Sequence, residues 1–260
     1  MNTAELRLSL WNAQAFRLTA FHSADAPIDI DSWWSNSLGQ VPEFRVARPK
    51  EGVDEVAGPI PNPEISPGKL RLRSQPSRID WTMQADEPIP PTSEIPSLGR
   101  LTAVLPIFTD IVGTWLDGLP FPLTRLALGS ILLLPVENQQ QGYSILSGFL
   151  PFSLDPNSAD FLYRINRPVP SRSLEDGTVI NRLSSWSVLQ TQLVGFSVSL
   201  GMTQPEPLSS QPLSSFACRL ESDINTQASR TTPLPSDKYA ALLAELSELT
   251  LCLAEQGVGS

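Results

Sequence analysis

Residues 69–84 read KLRLRSQPSRIDWTMQ, and this stretch decides the fold. Leu70 and Leu72 alternate with Lys69, Arg71 and Arg73; Ile79, Trp81 and Met83 alternate with Asp80, Thr82 and Gln84. A period of two marks a strand with one buried and one wet face. The joint SQPS carries turn chemistry, because proline presets its backbone and serine bonds its own main chain. The stretch is therefore expected to be a strand pair, with Trp81 among the apolar residues and three cations projecting together from the other side.

Toward the N-terminus the same alternation recurs. Leu6, Leu8 and Leu10 oppose Arg7 and Ser9, and Phe16, Leu18 and Ala20 oppose Arg17 and Thr19. Two strands are expected, with Asn12–Gln14 as the turn between them. Asp31 or Ser32 is expected to cap a short helix bearing Trp33 and Trp34. Residues 42–68, 85–96 and 203–214 are read as irregular excursions. They draw on a chain total of 25 prolines in 260 residues, about twice the usual ~5%. Proline neither donates to a ladder nor continues a helix.

Toward the C-terminus, apolar residues at 101, 104, 105, 108, 111, 112 and 115 have helical spacing. Ser97 is the expected cap, and Pro106 should kink or split the helix. Residues 125–134 read as a central strand and 137–149 as a short helix. Strands are expected at 161–167, 179–188, 190–200 (with Gly195 as a bulge) and 216–225. The last helix carries Tyr239, Leu242, Leu243, Leu246, Leu249 and Leu253 on one stripe, with Glu245 and Glu248 off it. Ser236 or Asp237 caps it and Gly257 ends it. The strands do not alternate with helices as βαβ units would. The fold is expected to be a single α+β domain over residues 1–260. Its antiparallel or mixed sheet should hold about seven to nine strands, with three or four packed helices including the amphipathic C-terminal one.

A net charge of −9 and a pI near 4.7 suit a soluble chain that repels nucleic-acid backbones unless its basic residues cluster. The first residues lack a basic segment followed by an apolar run. The apolar stretches 101–112 and 126–136 fall short of the ~20 residues a spanning helix needs, so a cytoplasmic protein without a membrane partner is expected.

Familiar chemistry is missing. One histidine, His22, sits past a strand where surface histidines are ordinary, and any Ser-His-Asp or Cys-His arrangement would have to use it. Cys218 and Cys252 form no CxxC or zinc pattern. No phosphate-cradling glycine loop and no GxSxG elbow occurs. The Asp29/Asp31 pair more commonly caps a helix than holds a cation, and Glu221 and Asp223 belong on one face of a strand. No catalytic residue, metal site or cofactor is assigned.

Two basic features stand out as candidate ligand sites. Lys69, Arg71, Arg73 and Arg78 place four cations within ten residues, and arginine faces bind phosphate or carboxylate bidentately. Asn-Arg occurs twice, at Asn166–Arg167 and Asn181–Arg182. If their strands pair, the four side chains make either a polar recognition site or a network that sets register.

The order RINRP (164–168), INRLSSW (180–186) and LESDINT (220–226), followed by the amphipathic terminal helix, resembles a sporadically distributed family of uncharacterised bacterial proteins. The likeness spans about residues 120–257. It implies a bacterial cytoplasmic origin and assigns no catalytic residues.

The leading expectation is a non-enzymatic interaction protein, a subunit or adaptor of a bacterial multi-protein system, with a protein partner or a second copy of itself. Six tryptophans and long extended segments motivate it. The alternative is a nucleic-acid or anionic-ligand binding module using the arginine-bearing strands. An enzyme with an acidic site of unfamiliar form is a third class; it requires Asp or Glu side chains converging in a pocket.

Overall fold

A computed structural model describes the chain apart from residues 1–6, 24–26, 90, 175–176, 194–195, 198–205, 208–212, 231 and 260. The quoted stretch forms two strands, β4 (Gly68–Gln75) and β5 (Arg78–Ala85), paired antiparallel with Arg71 opposite Thr82 and Leu72 opposite Trp81. Around them lie β1 (Asn12–His22), β2 (Phe44–Arg48), β3 (Val53–Pro59), β6 (Gly99–Arg100) and β7 (Leu123–Val136). Then follow β8 (Leu162–Asn166), β9 (Val169–Pro170), β10 (Val179–Leu193) and β13 (Leu213–Thr226). These eleven strands make one sheet in the order β2-β3-β4-β5-β1-β7-β13-β10-β8, with β6 beside β1 and β9 beside β10. Every pairing is antiparallel. The short strands β11 (Phe196–Ser197) and β12 (Glu206–Pro207) pair separately.

The sheet is larger than the expected seven to nine strands. The main reason is residues 42–68, which were read as irregular and instead hold β2 and β3. Strand β2 is exposed along its whole length, so no buried alternation marks it, and Pro59 falls where β3 ends. Residues 179–188 and 190–200, expected as two strands, run as the single β10 up to Leu193. Gly195 and most of the 203–214 excursion lie outside the described residues. At the other end, Arg7 and Leu8 are helical and Ser9–Leu10 form a turn, not a strand. Asn12–Gln14 belong to β1 instead of a turn. Of the connector expected at 85–96, Ala85 belongs to β5, and the described residues of 86–96 contain no regular element.

Among the described residues four helices cover one face: α1 (Ile30–Leu38), α2 (Leu101–Asp117), α3 (Gln139–Leu146) and α4 (Tyr239–Gln256). Asp29, two residues before the expected Asp31, caps α1 by accepting from the Ser32 amide at 3.1 Å. Helix α2 starts at Leu101 without a side-chain cap and continues through Pro106. That proline is on the exposed side, where the carbonyl left without its helical donor faces water. Helix α4 likewise has no side-chain cap; a 3₁₀ turn over Ser236–Lys238 leads into it.

The core lies between this helical layer and the sheet. All six tryptophans are in it, at 8% exposure or less. Trp81 stacks on Trp34 at 5.8 Å between ring centroids and meets Trp115 edge-on at 6.2 Å. Burying one large apolar side chain contributes roughly 1.5–3 kcal/mol, so these rings help lock α1 and α2 onto β5. The tryptophans therefore hold the layers together and present no surface to a partner.

Helix α4 ends as expected at Gly257, whose φ of 73° favours glycine. A Cβ there would stand 2.6 Å from the Phe149 Cα, so the chain passes too closely for any larger residue.

Candidate functional site

With the four described helices on one side, the other face of the sheet carries the remaining half of every alternation. Direct partners in an antiparallel ladder project to the same side, so the register places these residues in rows across the strands. One row runs Arg71, Thr82, Arg17, Gly129, Asp223, Leu183 and Asn166. The next runs Glu55, Arg73, Asp80, Thr19, Ala127, Asn225 and Asn181. On the opposite flank lie Lys69, Gln84, Ala15, Ile131, Glu221, Ser185 and Arg164. Phe21 lies between Arg78 and Arg125, whose guanidiniums stand over its ring at 5.9 and 5.1 Å.

With Arg48 on β2 and Arg219 on β13, nine of the chain's eighteen Lys and Arg residues belong to this face, against four carboxylates. A chain of net charge −9 thus concentrates positive charge on one surface. Local pairing is incomplete. Glu55 alone serves two cations, Arg71 at 3.2 Å and Arg73 at 3.9 Å, and Lys69 reaches Asp86 at only 3.7 Å. Asp80 is more fully engaged: it accepts from the Thr19 hydroxyl at 2.6 Å and from Arg78 at 2.8 Å. Arg219 pairs with Glu221 on its own strand. Arg17 and Arg164 are exposed and make no hydrogen bond or ion pair among the described residues.

Between these last two runs a trough of about 690 Å³, from β5 to β8. Its floor is low because the inward-lying positions are Ala15, Gly129 and Ser185. Ile131, Leu183 and the 69% exposed Leu162 add apolar wall. The proline-containing connector 86–98 bounds this face at one end, where the Thr191 hydroxyl donates to the Ser93 carbonyl at 2.9 Å.

The expected site residues divide between the two sides. Arg71, Arg73 and Arg78 share the open face, as the alternation required. Asn166 and Asn181 join them, and they form a relay: Asn166 donates to Asn181 at 3.0 Å, and Asn181 to Asn225 at 3.2 Å. Arg125 also donates to Asn225, at 2.7 Å. Arg167 and Arg182 do not join them. Adjacent strand residues point to opposite faces, and Arg182, opposite Ile224, is buried on the helical side. Its Nε donates to the Arg167 carbonyl at 3.0 Å, and Arg167 donates to the Val258 carbonyl at 2.5 Å. These two arginines tie β8, β10 and the C-terminal residues together. Arg17 and Arg164 were missed as site residues; the alternation in AFRLTAF and YRIN could have found them.

Other chemistry is accounted for structurally. His22 is buried, not superficial. Its Nδ1–H donates to the Ser23 carbonyl at 2.6 Å, and the ring packs on Phe121. Asp29 caps α1 while Asp31 pairs with Arg45. Glu221 and Asp223 both line the trough, but among the described residues no three His, Cys, Asp or Glu side chains are grouped to hold a metal. Cys218 and Cys252 are separate thiols, and burial pushes the Cys218 thiol up to about 12. Glu245, expected off the buried stripe of α4, is only 4% exposed. It accepts from the Arg172 amide at 2.7 Å, the Ser171 hydroxyl at 2.8 Å, and the Ser173 amide and hydroxyl at 3.1 and 2.5 Å. This buried carboxylate anchors the 171–173 loop. No described helix is long and apolar enough to cross a membrane.

Fold and face together define a class: a helix-backed antiparallel sheet whose uncovered side is a cationic, half-exposed surface with a trough. No protein-family model matches the chain, and no curated protein does.

Proposed function

We propose that the protein is a non-enzymatic interaction module, one component of a larger assembly, and that the open face of its sheet receives an acidic partner protein. The observation that carries this reading is the convergence of nine cations on the one sheet face that no described helix covers, in a chain that is acidic overall. Opposed potentials steer encounter and set register. A protein partner is favoured over nucleic acid for two reasons. Glu55, Glu221 and Asp223 are interleaved with the cations and repel a continuous phosphate backbone. The face also lacks a run of free aromatic platforms that would stack successive bases: among the described residues Phe21 is already covered by Arg78 and Arg125, which leaves Phe44 at the β2 edge as a lone exposed ring.

The test is fluorescence anisotropy with labelled poly-glutamate and labelled oligothymidine over a range of salt. Poly-glutamate is expected to bind at low salt and to be released as salt rises. Arg71→Glu with Arg73→Glu should weaken binding at least tenfold. Failure of poly-glutamate to bind at low salt refutes the reading, and tighter binding of oligothymidine transfers the face to nucleic acid.

A further inference from the structure

The trough has its own charge pattern, and that pattern restricts the ligand further than the face as a whole does. Arg17 stands on β1 and Arg164 on β8, with β7, β13 and β10 between them. Four strand spacings of ~4.8 Å put their backbones about 19 Å apart. Both side chains line the trough, both are exposed, and neither has a partner among the described residues. The middle has the opposite sign. Asp223 lies across Gly129 from Arg17, and Glu221 lies one row away. Arg219 answers Glu221. Among the described residues the Asp223 carboxylate accepts only from the Asn225 side-chain amide, at 3.0 Å, and no cation pairs with it at the centre.

The cause of the gap is Gly129. In a row of side chains it contributes none, so Arg17 and Asp223 remain separated by an open place with no side chain to bridge them. The glycine is not required by the backbone. Its φ is not positive, and a Cβ there would meet its nearest neighbours at 3.6–3.9 Å, ordinary van der Waals contact. The position accepts a side chain, and one placed there would occupy the trough.

Resting on the acidic-partner reading above, we propose that the trough takes an extended peptide segment of about seven residues, acidic at both ends and basic at its centre. Extended chain advances ~3.3 Å per residue, so this length spans the distance from Arg17 to Arg164. The end carboxylates meet the two guanidiniums in the bidentate geometry that arginine favours, and the central cation meets Asp223. Leu162, Leu183 and Ile131 lie against its aliphatic parts. Arg71 and Arg73 stay outside the trough and supply attraction at longer range.

The experiment uses the full chain and two labelled heptapeptides of identical composition, each with two aspartates, one lysine, and glycines and serines. One has aspartate at each end and lysine at the centre; the other has both aspartates at the centre and lysine at one end. The first should bind about tenfold more tightly. Arg17→Glu should remove that preference, and Gly129→Leu should abolish binding of the first peptide while circular dichroism and the melting curve stay those of the parent. Arg17→Glu changes an exposed side chain, so it remains a valid test if Gly129→Leu folds poorly. Equal affinity for the two peptides overturns the trough assignment. If poly-glutamate then still binds in a manner sensitive to Arg71 and Arg73, the acidic-partner reading stands and only the trough is lost. If poly-glutamate does not bind either, both fall. A concentration-dependent dimer dissolved by Arg17→Glu puts a second copy on this face and also overturns the proposal.

Discussion

Removing the Glu245 carboxylate tests how α4 is fastened to the rest of the molecule. Glu245 is 4% exposed and is met by two backbone amides and two hydroxyls of the 171–173 loop. In Glu245→Ala the hydroxyls can rotate toward one another, being 3.3 Å apart already. The Arg172 and Ser173 amides cannot follow, and each buried orphan donor costs ~1–3 kcal/mol. Losing the packed side chain adds to this, so the expected loss is about 3–5 kcal/mol, the scale for breaking a buried charged network. At roughly 2–4 °C per kcal/mol for a chain of this size, the melting point should drop by about 6–20 °C. Glu245→Gln keeps the shape and one acceptor and should lose ~1–3 kcal/mol.

The same group predicts a pH dependence. Burial pushes the Glu245 carboxyl up, but the hydrogen bonds from Ser173, Arg172 and Ser171 outweigh it and hold the carboxyl below the usual glutamate range. The unfolded chain therefore takes up this proton at higher pH than the folded chain does. The stabilisation is present above the unfolded value and is lost as pH falls through the folded one. Urea titrations at neutral pH and at successively lower pH should show the gap between parent and Glu245→Gln closing across that window. A Glu245→Ala midpoint within about 0.5 kcal/mol of the parent, or a gap that does not change on acidification, would refute the reasoning.

Two further outcomes follow from the packing. Gly257→Ala should destabilise by more than the ~1 kcal/mol of an ordinary glycine replacement, because the Cβ meets both a positive φ and the Phe149 backbone; thermal melts read it, and parent-like melting contradicts the close approach. Cys218, buried and with its thiol pushed up to about 12, should stay unalkylated by iodoacetamide at pH 8 in the folded chain and react once urea unfolds it. Peptide mass mapping distinguishes the two, and modification of native Cys218 would contradict its placement.

The parts of the fold that were legible in the sequence are those whose signal is local. The alternations at 69–73, 79–83 and 16–20 gave their strands because period two depends only on neighbours along the chain. The stripe on α4 gave its helix for the same reason, though it misjudged Glu245. A carboxylate looks solvent-bound until the loop at 171–173, more than seventy residues away, supplies its donors. Strand β2 was illegible because FRVAR has no buried face at all; pairing with β3 alone makes it a strand. The cations of the 69–78 run were legible as a cluster, while Asn-Arg twice over looked like one site and is two half-sites on opposite faces.

By itself, then, the sequence determined an α+β chain, the identity of most strands, and the fact that Arg71 and Arg73 share a face, since each follows from short-range periodicity. The tertiary structure decided which strands are neighbours and which face the helices leave uncovered. Strand β1 lies between β5 and β7, and β13 between β7 and β10. This order brings Arg17, Asp223 and Arg164 around one trough from positions up to about two hundred residues apart. Strand order is a long-range property: it is set by which buried faces fit together, and no window along the chain contains it.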